Sequence, residues 1–305
     1  MDRIFIVLLI SVLTIPFLMP LFIEKQEVPV IYQLGNVDIN EITLYYKPEY
    51  IIIDYSHDGS EKNKFSRYEI RKLQTNGSTV LSYLSVGEAE DYRFYWEKWW
   101  NNSPPDFIGE ENSKWPGNYK VKYWHWEWKE IMHQYIDKII DQGFDGVYID
   151  LVDSYLYWAD HGYDIYATAE EMINLIADLS EYAKSKRKNF KIFVQNAESI
   201  IDYDYNGKYM ESIDGLGIES LFYIKGKKRK EKQIDYRLNY ITKFKEHNKT
   251  IIVIDYIYNE KESDIEKVKD FISLCEEYGF LAYPATKDQK LYTISPGIKY
   301  FNQNK

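Results

Sequence analysis

Residues 143–153 read GFDGVYIDLVD, and their centre, Gly146–Asp150, is a short β-rich run that ends on a carboxylate. Five other apolar runs end on or beside an acid, at residues 50–55, 79–88, 191–198, 214–219 and 250–255, and their acids are Asp54, Glu88, Glu198, Glu219 and Asp255. In a (β/α)8 barrel the carboxyl ends of all strands meet at one rim, which holds the active site. The repeated pattern therefore predicts a barrel with an acidic rim.

Strand and helix signals alternate along the chain, which is typical of an α/β fold. Eight strands are predicted in order, at residues 28–34, 50–55, 79–86, 146–151, 191–195, 214–218, 250–255 and 280–284. Helices are predicted at residues 64–76, 129–142, 168–186, 232–247 and 263–278, with Thr168 and Glu171 as a capping box. Residues 87–121 and 153–167 are longer than ordinary loops. We therefore expect a single TIM barrel over residues 25–305, with long loops after strands three and four.

A hydrophobic segment without charges, residues 4–23, precedes the predicted barrel. It is long enough to cross a bilayer, and it also fits the apolar region of a secretory signal. No small-residue cleavage site follows it, which favours an anchor over a cleaved peptide; a buried core helix is the third alternative. We expect residues 1–24 to be a signal peptide or membrane anchor, and the barrel to be extracytoplasmic, either secreted or tethered.

The composition of this chain of 305 residues limits the classes of molecule that it is expected to bind. Its net charge of −10 argues against nucleic acid and suits a neutral or cationic substrate. Aromatic residues make up 17% of the chain, and their flat rings are surfaces on which sugars stack. The candidates for stacking are Trp96, Trp99, Trp124 and Trp126, with core packing as the alternative for each. The single cysteine, Cys275, cannot form an intramolecular disulfide.

Two of the acids form a candidate catalytic pair. Asp150 and Glu219 close the fourth and sixth predicted strands, so they face each other across the mouth of a barrel. Glycoside hydrolysis needs such a pair, one acid to protonate the leaving oxygen and another to attack or stabilise the anomeric carbon. Gly215 and Gly217, just before Glu219, indicate a close approach of backbone or substrate.

Other polar and aromatic residues of the rim are candidates for binding the substrate, with a loop hydrogen bond as the alternative for each acid or amide alone. The predicted substrate-binding residues are Asp54, Tyr83, Glu88, Glu90, Trp124, Asp153, Gln195, Asn196, Glu198 and Asp255. The five histidines lack the spacing of a zinc site, so no zinc is expected. A magnesium site built from clustered acids stays open.

Four stretches together resemble glycoside hydrolase family 114, whose members are TIM-barrel proteins related to endo-α-1,4-polygalactosaminidase. They are residues 53–59 (IDYSHDG), 83–90 (YLSVGEAE), 143–153 (GFDGVYIDLVD) and 195–198 (QNAE), and the similarity extends over about residues 28–284. Residues 88–123 are similar to a poorly characterised archaeal and bacterial branch of this family. The resemblance implies a TIM barrel, a polysaccharide substrate, and Asp150 with Glu219 as the catalytic acids.

We therefore expect an endo-acting glycoside hydrolase that cleaves a polysaccharide, such as an α-1,4-linked galactosamine polymer, without a metal or other cofactor. An acidic rim suits that polymer because it is cationic. Asp150 would be the nucleophile or stabiliser and Glu219 the general acid/base, with the reverse assignment open. The rival functions are a non-catalytic glycan-binding barrel at the cell surface and a magnesium-dependent lyase or isomerase. The sequence leaves the oligomeric state open.

Overall fold

A computed structural model of the chain describes residues 24–301. The hydrophobic segment predicted to be a signal or anchor, residues 4–23, lies outside the described residues. Among the helices of the described range, none is both long and apolar enough to cross a membrane.

Eight parallel strands form a barrel, and they pair side by side in the order of the chain. From first to eighth they are Gln26–Gln33, Tyr46–Ile53, Thr79–Ser85, Gly146–Asp150, Lys191–Gln195, Gly215–Glu219, Thr250–Tyr258 and Leu281–Thr286. The first and eighth strands pack against each other, so the barrel is nearly closed. The predicted TIM barrel is confirmed, and the carboxyl ends of its strands meet at one rim.

Helices cover the outside of the barrel. Within residues 24–301 the α-helices are Ile39–Tyr45, Arg67–Gln74, Trp126–Gln142, Ser154–Asp160, Ile165–Lys186, Lys208–Ser212, Glu231–Glu246 and Glu262–Tyr278. Trp126–Gln142 ends at the predicted Gly143, whose φ of 92° lies in the left-handed region where glycine has no side chain to clash. Each long helix therefore lies between two strands, as the alternating sequence signals predict.

The region after the fourth strand differs from the prediction. Residues 153–167 were expected to be a loop, but they contain the helix Ser154–Asp160 and the start of the next helix at Ile165. Asp164 caps that next helix by accepting a hydrogen bond from the Ala167 N–H at 2.9 Å. The predicted capping box of Thr168 and Glu171 is therefore wrong, because the helix begins one turn earlier.

The connection after the third strand forms a small antiparallel sheet of its own, which we call the excursion (residues 87–121). Its strands are Glu88–Glu90, Ile108–Glu111 and Asn118–Val121. Two buried indoles fix its ends, since Trp128 donates to the carbonyl oxygen just before it and Trp158 to that of its last residue, each at 2.9 Å. The excursion is thus tied to the rim rather than loosely attached.

Tyrosine rings fill the interior of the barrel near the rim. Tyr32 and Tyr148 meet edge to face, with ring centroids 5.4 Å apart, and both are buried. A Cβ atom at Gly217 would lie only 1.7 Å from the Tyr148 hydroxyl, so the sixth strand needs glycine there. The close approach predicted at Gly217 is therefore an approach of backbone to this ring.

Candidate active site

Asp150 and Glu219 are the last residues of the fourth and sixth strands. Both are half-buried, and both stand on the rim where the carboxyl ends of the strands meet. Burial, followed by the charge of Glu219, raises the pKa of Asp150 to about 7. The two acids are therefore electrostatically coupled at the mouth of the barrel.

Three donors hold the Asp150 carboxylate. Its Oδ2 accepts the Tyr83 hydroxyl at 2.8 Å, and its Oδ1 accepts the Leu151 N–H at 2.7 Å and the Gln195 amide at 3.1 Å. The Gln195 oxygen in turn accepts the Tyr32 hydroxyl at 3.3 Å. Burial, then the Asp150 charge, raises the pKa of Tyr83, so its hydroxyl stays protonated and donates. These contacts fix the orientation of Asp150 and favour its charged form.

Glu219 is held through both its side chain and its backbone. Its Oε2 accepts the Asn196 amide at 3.1 Å, and its N–H donates to the Asn196 Oδ1 at 3.0 Å. The Tyr256 hydroxyl donates to Oε1. The Arg237 guanidinium donates to the Glu219 carbonyl oxygen at 2.8 Å. Each oxygen of this carboxylate therefore has a donor, one from the residue that follows the fifth strand and one from the seventh strand.

The chain leaves three neighbouring strands through the left-handed region. The φ angles are 61° at Leu151, 56° at Asn196, 57° at Ala197 and 52° at Ser220. Such a conformation costs a non-glycine residue about 1–2 kcal/mol, and it persists only where the surrounding contacts fix it. These residues follow Asp150, Gln195 and Glu219, so four of the ten non-glycine residues with positive φ in the described part of the chain lie beside the acid pair or the residues that hold it.

Asp153 lies among charges close to the pair. Burial raises its pKa; the Lys120 charge opposes that shift and the Glu219 charge adds to it. Lys120 also pairs with Glu88, at 2.5 Å, and Glu88 accepts the Asn112 amide at 2.8 Å. Asp153 is thus beside the site and half-buried, whereas Glu88 is buried within the excursion.

Asp54 and Glu90 share one buried cation. Two guanidinium nitrogens of Arg93 lie 2.8 Å from the Asp54 oxygens, and its Nε lies 2.5 Å from Glu90. All three residues are less than 10% exposed. The cluster joins the end of the second strand to the excursion. The predicted contacts of Asp54 and Glu90 with substrate stay predictions.

Glu198 and Asp255 hold the segment that follows the sixth strand. Glu198 pairs with Arg237, the residue that also binds the Glu219 carbonyl. Asp255 is completely buried, and its oxygens accept the N–H groups of residues 221, 222 and 223 at 2.6–2.9 Å. Both acids position the chain beyond Glu219, and their predicted contact with substrate stays a prediction.

The predicted stacking tryptophans separate into two groups. Trp124 is half-buried and packs against Trp158, with ring centroids 5.3 Å apart, while Trp96 stacks on Tyr119 at 4.8 Å. Trp99 and Trp126 are 55% and 67% exposed. Only the second pair therefore offers open ring faces.

The sequence prediction missed Tyr32, Tyr256 and Arg237, which contact Glu219 or a residue that holds Asp150. Tyr256 directly follows the predicted Asp255, and neighbouring strand residues point to opposite sides. A tyrosine directly after the predicted seventh strand, on the side opposite Asp255, was therefore a signal available for Tyr256. Arg237 gave no such signal, because it lies within a helix, Glu231–Glu246.

The rim of this (β/α)8 barrel carries two coupled carboxylates, each held by hydroxyl and amide donors. Glycoside hydrolysis uses such a pair of carboxyl groups. Within residues 24–301, no group of three or more His, Cys, Asp or Glu side chains is placed to hold a metal ion. The fold and the site thus define a TIM barrel of the glycoside hydrolase class.

The family follows from comparison with known proteins. The model of glycoside hydrolase family GH114 matches residues 37–302, so the chain belongs to this family and is a glycoside hydrolase. An uncharacterised protein of Methanocaldococcus jannaschii is 44% identical over 263 residues, which cover 85% of this chain and 76% of that protein. One from Thermotoga maritima is 38% identical over 264 residues, covering 86% and 81%.

Solved structures share the fold at low identity. The glycoside hydrolase domain of PelA from Pseudomonas aeruginosa matches with a TM-score of 0.66 and 13% identity, covering 88% of this chain and 97% of that chain. Aspergillus fumigatus Ega3, solved in complex with galactosamine, matches with a TM-score of 0.62 and 19% identity, covering 88% and 94%. The resemblance to family 114 predicted from the sequence is confirmed.

Proposed function

We propose that this glycoside hydrolase cleaves the interior of an amino-sugar polymer of the α-1,4-linked galactosamine type, with Asp150 and Glu219 as its catalytic acids. The observation that carries the proposal is the coupling of these two acids at the rim. Burial, with the Glu219 charge added to it, raises the pKa of Asp150 to about 7, so Asp150 gains or loses its proton near neutral pH under the influence of Glu219. One proton on one acid and a charge on the other is the state that glycoside hydrolysis requires.

In the proposed mechanism, Glu219 is the general acid that donates a proton to the glycosidic oxygen, and Asp150, as a carboxylate, attacks or stabilises the anomeric carbon. Asp150 suits the charged role because Tyr83, Leu151 and Gln195 all donate hydrogen bonds to it. Glu219 then accepts a proton back from water as the bond to water forms.

The substrate class rests on the charges beside the pair. Asp153 is half-buried next to Glu219, and its carboxylate is suited to bind the ammonium group of an unacetylated sugar. Ega3, which shares the fold, was solved with galactosamine, and this supports an amino sugar as the ligand. We therefore assign Asp153 to recognition of the substrate amine.

The catalytic pair is tested by Asp150→Asn and Glu219→Gln. Each change keeps the shape of the side chain and removes the ionisable group, so each should lower kcat on a galactosamine polymer by at least about 10²-fold. Asp235→Asn, on the exposed face of a helix, is the matched control and should leave kcat unchanged. Near-full activity of both variants, with unchanged circular dichroism, would contradict the pair.

Recognition of the amine is tested by Asp153→Asn. The variant should raise KM for the unacetylated polymer by about tenfold, since a charge-assisted hydrogen bond contributes about 1.5–3 kcal/mol. The same variant should leave KM for an N-acetylated polymer nearly unchanged. An equal rise of KM on both polymers would show that Asp153 does not recognise the amine.

A metal test separates hydrolysis from the rival function. Activity that EDTA abolishes and magnesium restores would favour the lyase or isomerase instead.

We also propose that the barrel works outside the cytoplasm, secreted or held by residues 1–24. The uncharged run at residues 4–23 supports this location. Cell fractionation with N-terminal sequencing tests it. A protein with an intact N-terminus in the membrane fraction supports an anchor, a mature protein starting near residue 25 indicates secretion, and a cytoplasmic protein refutes both.

A further inference from the structure

A groove of about 560 Å³ lies on the outside of the barrel, between the excursion and the helix Trp126–Gln142. We call it the tryptophan groove, because the exposed rings of Trp99 and Trp126 line it. Both the excursion and the start of this helix follow the third strand, so the groove lies towards the rim end of the barrel. Neither Asp150 nor Glu219 lines it. It is therefore a site separate from the catalytic pair.

The floor of the tryptophan groove contains an unsatisfied donor. Trp100 is 6% exposed and packs edge to face against Trp99 and Phe107, with centroids 6.1 and 5.7 Å apart. Its indole N–H is buried and has no hydrogen-bond partner in the described part of the chain. A buried donor normally finds an acceptor, so the wall of the groove holds a polar group whose hydrogen bond the described chain does not supply.

The charges of the groove select the kind of sugar. Asp106, Glu127 and Glu130 line it, and among the described residues that do so there is no Lys or Arg. His125 is the remaining titratable group, 3.6 Å from Glu127. Acids beside open indole faces suit an ammonium group on an apolar ring, through ion pairing and cation–π attraction. A neutral or anionic glycan would gain only the stacking.

We propose that the tryptophan groove is a second glycan site, which binds a distant stretch of a cationic amino-sugar polymer while the barrel mouth takes the bond to be cleaved. The inference rests on the proposed function, since one polymer would occupy both sites. A polymer held in the groove stays at high effective concentration near the rim, so the groove serves long chains more than short ones.

The experiment measures binding without turnover. Full-length Asp150→Asn protein in mild detergent is titrated on an immobilised, unacetylated α-1,4-galactosamine polymer. Adding Trp99→Ala and Trp126→Ala should raise Kd by at least about tenfold, because two ring contacts are lost. Trp115→Ala is the matched control, since Trp115 is a 53% exposed tryptophan of the same excursion outside the groove, and it should leave Kd unchanged. The N-acetylated polymer should bind more weakly to the unaltered groove.

Separate outcomes decide the groove and the proposed function. Equal Kd values with and without the two tryptophans would overturn the proposal that the groove binds glycan, even if the wild type hydrolyses the polymer. Loss of binding in the double variant would support the groove, even if no hydrolysis is found. Self-association that the double variant abolishes, with polymer affinity unchanged, would assign the groove to a second copy of the chain and overturn the proposal.

Discussion

At Asp150, opposing interactions determine the pH at which the carboxyl group loses its proton. Tyr83, Leu151 and Gln195 stabilise the charged carboxylate, whereas burial and the Glu219 charge raise its pKa to about 7. A nucleophile or electrostatic stabiliser must be charged, so the balance places the working range of the enzyme at or above neutral pH. The hydrogen bonds orient the group, and burial together with the Glu219 charge raises the pH at which it ionises.

This balance predicts the pH dependence of hydrolysis. If Asp150 works as a carboxylate, kcat/KM should be low below pH about 6 and rise with pH through about 7, because the raised pKa keeps the acid protonated at lower pH. A pH profile of kcat/KM on the galactosamine polymer measures this. Activity that instead falls through pH about 7 would show that Asp150 is the proton donor and reverse the two roles.

Single residues of the site differ in whether the sequence could predict their role. Asp150 and Glu219 were found because each closes an apolar strand, a local pattern. Asp255 closes the predicted seventh strand too, yet it accepts backbone N–H groups, while the adjacent Tyr256 donates to Glu219. A strand alternates its two faces, and the sequence does not say which face meets the site. That choice depends on contacts between distant strands.

Among the elements, the excursion depends on one buried cation. Arg93 is the shared partner of Asp54 and Glu90, and it joins the excursion to the second strand. We expect Arg93→Met to lower the free energy of unfolding by about 3–5 kcal/mol, because two buried carboxylates lose their partner. Urea denaturation followed by circular dichroism measures this change.

The matched control for Arg93 is Lys98→Met, an exposed cation of the same excursion. It should change the free energy of unfolding by no more than about 0.5 kcal/mol, as surface substitutions usually do. Limited proteolysis adds a local measurement, because a loosened excursion should be cut within residues 87–121 before the barrel. If Arg93→Met unfolds like the control, the cluster does not hold the excursion.

Elements differ in how well their sequence predicts them. All eight barrel strands were predicted within a few residues, since long apolar runs bounded by turns carry a strong local signal. The strands Glu88–Glu90 and Ile108–Glu111 were not predicted. They are short and polar, and both pair with Asn118–Val121, which is itself a short strand. Tertiary contacts, rather than local propensity, make them strands.

For the whole molecule, barrel closure brings together groups that are far apart in the chain. The hydrogen bond from Tyr32 to Gln195, which positions Asp150, joins residues 163 positions apart. Such contacts exist only when strands from the first to the fifth are in place. Because the rim gathers acids from many strands, their fields add at one end of the molecule.

The acidic field of the whole chain gives a final prediction. With a net charge of −10, the protein should attract a cationic polymer over a distance that salt controls, since the Debye length falls from about 30 Å at 0.01 M to about 10 Å at 0.1 M. KM for the unacetylated polymer should therefore rise about threefold or more over this range, with kcat little changed. KM for the N-acetylated polymer is the control and should stay constant. The contrary outcome is a KM for the cationic polymer that does not change with salt concentration, in protein whose circular dichroism is also unchanged. It would show that the attraction comes only from close contacts such as that of Asp153.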